Sequence, residues 1–237
     1  MNERYTRQIP LIGPEGQKNL EDATVFIAGA GGLGSPAAFY LAAAGVGHIR
    51  IADADVLEIT NMNRQILHTD ERIGMPKVVS AKKTLEALNP EITVTALEAF
   101  IDADSAAGLI GDADIIVDAM DNFSARYVLN AAALEQDIPL MHAGISGFSG
   151  QATLIVPGKT PCLACIFPQA ETAVKPPVLG VTAGILGAIE AQETIKYLTG
   201  SGETLAGRLL LWDGSVNRME VFSVKRSPRC RVCAGKY

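Results

Sequence analysis

The chain has no apolar run near the roughly 20 residues that a membrane-spanning helix needs; glycine, threonine or charge interrupts its longest ones within about a dozen residues. Its opening, Met1-Asn2-Glu3-Arg4-Tyr5-Thr6-Arg7, lacks the apolar segment of a secretory signal, so the expectation is a cytoplasmic protein with no membrane partner. There is no basic excess. The formal charge is −6, which argues against a general nucleic-acid binder, whose footprint is basic. No cysteine lies outside two pairs, and there is no internal repeat, low-complexity tract or clear interdomain linker. What remains, in 237 residues of which 48% are hydrophobic, is enough for one large domain with a substantial core.

Against that background, Gly29-Ala30-Gly31-Gly32-Leu33-Gly34 stands out. It follows the apolar run 23–28 and precedes Ser35-Pro36, giving G-x-G-x-x-G at a strand-to-helix junction. The first glycine permits a tight turn, the second lets a phosphate approach the backbone, and the third lets the helix pack closely on the strand. A helix N-terminus there offers unpaired N–H groups to an anion. Ser35 is expected to cap that helix, with Pro36 in its first turn. On its own this loop fits a dinucleotide-binding dehydrogenase.

Five apolar segments suit a parallel sheet: 23–28, 49–52, 92–97, 115–119 and 139–141. Helical patterns lie between them at 35–44, about 75–88 and about 125–136. This alternation predicts an α/β fold of the Rossmann-like, doubly wound kind. After Gly144 the rhythm changes. Strands are expected at 151–156, 208–212 and 216–224, the last two antiparallel, with a helix at about 184–198 and a long loop from Pro157 to Gly180.

Asp53 ends the second strand, where an acidic side chain can bond ribose hydroxyls. Asn61, Asn63, Arg64 and Gln65 cluster shortly after it, and Lys77 opens the next helical segment. Two fixed cations beside a phosphate site suit a triphosphate, because charge builds on the leaving pyrophosphate. A solvated surface pair is the other reading of Arg64 and Lys77. Asp118 and Asp121-Asn122 follow the fourth strand, at the ligand edge of a parallel sheet, where a carboxylate suits Mg²⁺. Asp118 reads equally as a structural cap, which leaves Asp121 as the ligand. Cys162-x-x-Cys165 and Cys230-x-x-Cys233 suggest four thiolates on a structural zinc, although the pairs lie far apart for a compact ribbon. Buried or redox-active cysteines are the alternative. The three histidines, His48, His68 and His142, are expected to be hydrogen-bonded structural groups, and Trp212 a core residue.

Taken in order, Arg4 to Ile9, the glycine loop, Asp53, Asn61 to Gln65, Pro76-Lys77, Asp121-Asn122, both cysteine pairs and Gly187 to Lys196 form a combination. It resembles the adenylyltransferases that activate ubiquitin-like sulfur carriers, in the molybdopterin-synthase and thiamine-biosynthesis branch of the ubiquitin-activating-enzyme superfamily. The resemblance covers nearly the whole chain. It implies one adenylation domain over 1–237: an N-terminal arm 1–22, a nucleotide-binding half 23–144, and a carrier-binding and zinc half 145–237. It also implies that Gly29, Gly31, Gly32, Gly34 and Asp53 hold ATP, and that Asn61, Asn63 and Arg64 contact its phosphates. Lys77 would neutralise the α/β-phosphate region, Asp121 would hold magnesium with Asn122 beside it, and Arg7 would reach into the site of a homodimeric partner. The cysteines would bind zinc. The carrier, ending in Gly-Gly, would be activated as an acyl-adenylate. Relatives often carry a further cysteine at a position corresponding to about Ala173, within Glu171-Thr172-Ala173-Val174-Lys175. This chain has none there, so adenylation without an enzyme thioester is expected. An NAD-dependent oxidoreductase, a non-catalytic scaffold, and activation of a small-molecule or tRNA carboxylate are the competing functions. The oxidoreductase would leave Arg64 and Lys77 unused.

Overall fold

A computed structural model describes residues 3–170 and 177–235. The five expected parallel strands form: β1 (Thr24–Ala28), β2 (His48–Ala52), β3 (Thr93–Leu97), β4 (Ile115–Asp118) and β5 (Leu140–Ser146). Three antiparallel strands continue the same sheet: β6 (Ser149–Ile155), β7 (Arg208–Asp213) and β8 (Arg218–Ser223). The spatial order is β3-β2-β1-β4-β5-β6-β7-β8. The chain therefore leaves β1 toward β2 and β3 on one side and returns to β4 on the other. The crevice at such a switch point is where open α/β sheets bind ligands.

Among the described residues seven α-helices accompany the sheet: α1 (Ile9–Asp22), α2 (Gly34–Ala44), α3 (Lys77–Leu88), α4 (Ala106–Ile110), α5 (Phe123–Gln136), α6 (Leu163–Ile166) and α7 (Gly180–Thr199). Alternate residues of the inner strands enter opposite cores, as a pleated strand requires. Val25, Ile27, Ile49, Ile51, Ile115 and Val117 pack with Leu41 of α2, Val78 of α3 and Leu186 of α7. Phe26, Ile116, Leu140 and Ile155 pack with Ile110 of α4, Leu129 of α5 and the cysteines.

Three elements escaped the sequence reading. Helix α1 is kinked at Gly13 (φ 76°) ahead of Pro14, so no continuous helical pattern marks it. Helix α4 is a single short turn on the far face, and α6 lies inside the span expected to be a loop. Strand β5 runs on to Ser146 because Gly147-Phe148 closes a tight hairpin with β6, where Ser146 faces Ser149. The glycines at 144, 147 and 150 concealed that hairpin. The anticipated cap is also corrected. Leu33 is the N-cap of α2, and Ser35 lies inside the first turn, where its hydroxyl donates to the Gly31 carbonyl at 2.7 Å.

Candidate functional site

The glycine loop has the geometry its spacing demands. Gly29 has φ +102°, and a Cβ there would meet the Ala119 carbonyl oxygen at 2.8 Å. A Cβ on Gly34 would fall 2.0 Å from the Gly29 carbonyl oxygen, so only hydrogen fits where α2 meets the loop. Helix α7 presses on the same loop from the other side. Ala183 lies 3.3 Å from where a Cβ of Gly32 would stand, and a Cβ on Gly187 would be 2.4 Å from the Leu33 carbonyl oxygen. His68 braces the loop from beneath. One ring nitrogen bonds the Ala30 carbonyl at 3.0 Å and the other bonds Ser80 Oγ of α3 at 2.9 Å; burial lowers its pKa.

Polar side chains gather round the loop. One Asp53 carboxylate oxygen accepts the Ala30 N–H at 2.9 Å and the other accepts the Asp55 N–H at 2.8 Å, so β2 holds the loop directly. Lys77 begins α3 and is 6% exposed, with its Nζ 2.7 Å from Asp55 Oδ2. The guanidinium of Arg64 donates at 2.9 Å to the Thr60 carbonyl and to Asn63 Oδ1, and its stem crosses Gly32. Arg64 and Lys77 are therefore held at the site and are not a loose surface pair.

The side-chain oxygens of two expected phosphate contacts are engaged by neighbouring groups. Asn61 is buried, its Oδ1 accepting the Glu58 N–H at 3.0 Å to cap a 3₁₀ turn, and Asn63 braces Arg64. Neither lines the cavity described below. Their amides build the wall that carries Arg64. Arg7 is exposed and also lies away from this chain's cavity.

At the end of β4 the two aspartates divide. Asp118 is fully buried and paired across the register with His142 of β5, Oδ2 to Nδ1 at 2.7 Å. Burial lowers the His142 pKa against the pull of Asp118. Asp121 is exposed on the cavity wall, and Asn122 beside it caps α5 by accepting the Ala125 N–H at 2.9 Å. One turn into α5, Arg126 donates from Nη2 to the Met120 carbonyl at 2.7 Å and lies over the Phe123 ring, 5.0 Å from its centroid. From α7, Glu190 is fully buried, and burial, then the charge of Asp118, push its carboxyl well above the usual carboxylate range. His48 bonds Thr95 at 2.8 Å, so all three histidines are hydrogen-bonded as expected.

One cavity of about 1020 Å³ joins these groups. One arm is walled by Gly29, Gly31, Gly32, Asp53, Lys77 and Arg64. The other follows the same edge of the sheet past Asp121, Arg126 and Gly144 to Gln151, Trp212 and Arg218. Trp212 is half-buried against the core and also faces this second arm. Gln65, read from sequence as one of the polar cluster, lines the cavity, whereas Arg126, Gly144 and Gln151 were not anticipated. The spacing from Asn122 to Arg126, one helical turn from a cap, was the available signal for Arg126.

The four cysteine sulfurs come together on the far face, all within 4.8 Å of one another. Cys162–Cys230 is 3.6 Å, Cys165–Cys233 is 3.4 Å and Cys162–Cys165 is 3.9 Å. These distances bracket the edge of about 3.8 Å that a tetrahedron with Zn–S near 2.3 Å would have. The residues fit a closed four-thiolate metal site. Its first half is tied to α5, where Leu163 N–H donates to Asn130 Oδ1 at 2.8 Å and the Tyr127 hydroxyl donates to the Phe167 carbonyl.

Known proteins resemble this arrangement over nearly its full length. The SAMP-activating enzyme E1 of Haloferax volcanii is 42% identical across 98% of this chain and 88% of its own length. The sulfur carrier protein adenylyltransferase of Thermus thermophilus is 39% identical across 98% of this chain and 90% of its own. The crystal structure of E. coli MccB with ATP superposes with a TM-score of 0.89 at 27% identity, covering 98% of this chain and 74% of that one. The model of the ThiF family matches residues 5–232, and the chain belongs to that family.

Proposed function

We propose that this protein is an ATP-dependent adenylyltransferase that activates the C-terminal glycine carboxylate of a small ubiquitin-like sulfur-carrier protein. The carrying observation is the cavity's lining, in which one continuous space of about 1020 Å³, at the upper end of the roughly 300–1,000 Å³ of small-molecule sites, is walled both by the glycine loop with Arg64 and Lys77 and by residues of β5 to β8. ATP takes the arm of the glycine loop, with Asp53 on the ribose and Arg64 and Lys77 on the phosphates. The carrier tail takes the arm along β5 to β8. A tail carboxylate oxygen attacks the α-phosphorus, the bond to the bridging oxygen breaks, and pyrophosphate leaves with that electron pair. The chain supplies alignment and fixed positive charge, and no nucleophile is required.

Asp121 offers a hard oxygen on the cavity wall and would hold Mg²⁺, which when bound neutralises charge on the phosphate oxygens. The cysteines hold a structural zinc that pins the C-terminal segment to α5. All four cysteines of the chain belong to that cluster, which supports adenylation without an enzyme–carrier thioester. The position corresponding to Ala173 falls outside the described residues. Arg7 acts in the site of a second subunit of a cytoplasmic homodimer, in keeping with its distance from its own cavity. Among the described residues no helix is long and apolar enough to cross a membrane.

Pyrophosphate exchange with ATP, Mg²⁺ and carriers ending in Gly-Gly tests the reading. Carrier-dependent exchange is expected, lost about 10²–10³-fold in Arg64→Ala and Asp121→Ala, the scale of removing one electrostatic stabiliser. Mixing Arg7→Ala with Asp121→Ala subunits should restore part of the activity. NAD binding without ATP binding would overturn the reading, and a thiol-reducible carrier adduct would overturn its no-thioester part.

A further inference from the structure

Arg126 occupies an unusual place. It is 6% exposed, and among the described residues no carboxylate pairs with it at salt-bridge distance, although its charge acts on the fully buried carboxyl of Glu190. Its Nε is buried without a hydrogen-bond partner, and its Nη2 is spent on the Met120 carbonyl. The remaining nitrogen, Nη1, lies 2.9 Å from where a Cβ of Gly144 would stand, and both residues line the cavity. A buried guanidinium with so few partners is costly unless something supplies them.

Its position along the sheet edge says what does. Across that edge run the glycine loop after β1, Asp121 after β4, Gly144 on β5, and Gln151 and Trp212 on β6 and β7. Arg126 sits at the β4–β5 boundary, where the nucleotide arm passes into the tail arm. A nucleophilic carboxylate arriving along β5 must cross this point to reach an α-phosphate held at the loop. The side chain missing at Gly144 leaves room for the guanidinium itself and for the Gln151 amide, whose Nε2 would stand 3.3 Å from a Cβ there, so that both nitrogen donors reach the cavity wall beside β5. We infer that Arg126 binds the substrate's terminal carboxylate, with Nη1 donating to the oxygen that does not attack phosphorus. This rests on the adenylyltransferase reading and assigns its acyl substrate a specific partner. The bond to Met120 fixes the guanidinium, and the carboxylate reaches the phosphate already oriented.

The test compares binding of a synthetic tail peptide ending in Gly-Gly with binding of its C-terminal amide, without nucleotide. Wild type should favour the carboxylate by about tenfold or more, the scale of one hydrogen bond to a charged group. In Arg126→Gln the preference should fall to about one, while ATP affinity stays within about threefold; Arg126→Lys should recover part of the preference. Gly144→Ala places a methyl 2.9 Å from Nη1 and must push the guanidinium aside, so it should weaken carboxylate binding in a folded protein even if Arg126→Gln does not fold. Equal losses for peptide and amide in these variants, or an undiminished preference, would overturn the role of Arg126. Wild-type exchange with carrier combined with no preference for the carboxylate overturns this inference alone. Absence of exchange with any carrier overturns the parent reading with it.

Discussion

The two halves of the sheet are built to different standards of enclosure. Strand β4 is buried at every position and β1 at all but its first, sandwiched between α2, α3 and α7 on one face and α4 and α5 on the other. Strand β8 is exposed at every residue, with Met219, Val221 and Phe222 each about half open. The parallel half is finished by its own chain and shapes a phosphate site to within a methyl group. The antiparallel half forms the other side of the cavity, and its outermost strand is exposed.

That contrast can be broken in graded steps. The largest effect is expected at the most enclosed point. Gly34→Ala places a methyl 2.0 Å from the Gly29 carbonyl oxygen and forces backbone to move. A loss of ~3 kcal/mol is expected, read as a fall of roughly 6–12 °C in Tm, together with loss of ATP binding in a titration. Removing metal from the cysteine cluster should cost about 2–3 kcal/mol, a Tm lower by roughly 4–12 °C after chelation and restored by added zinc.

A smaller, pH-dependent effect belongs to Glu190. Its folded pKa is raised, so its contribution to stability is full below the unfolded value near 4.5 and is lost as pH rises toward the folded value. Glu190→Gln should remove that decline, so the Tm difference between variant and wild type grows with pH above about 4.5. Least affected should be Val221→Thr on β8, within about 0.5 kcal/mol in stability, with any change confined to the KM for carrier. A large Tm loss there would mean the antiparallel half is not the open one.

The parallel half was also the more legible in sequence. Buried strands read as continuous apolar runs, and Gly29 and Gly34 each answer to one contact, so β1 to β4 and the loop were expected nearly residue for residue. Legibility failed where a residue's job is set by a neighbour distant in sequence. Asn61 reads as a phosphate ligand until Glu58 is seen to use its oxygen, and Ser35 reads as a cap until Gly31 takes its hydroxyl. Arg126 looks like one more charged residue on a helix. Only the meeting of β4, β5 and α5 turns it toward Gly144. Helix α1 was hidden by Gly13 and Pro14, which break the periodicity that a sequence reading follows.

Helix α7 has a consequence for the energetics of the reaction. It touches the glycine loop at Gly32 and Leu33 and lays Leu186 where a Cβ of Gly150 on β6 would stand, so the floor of both arms shares one rigid strut. Nucleophile and electrophile are thus held in a frame assembled during folding. The cost of ordering the site is met in folding, so the entropy that remains to be lost on binding is that of the substrates alone. The effective molarity of the attack is written into the spacing between two glycines and a helix.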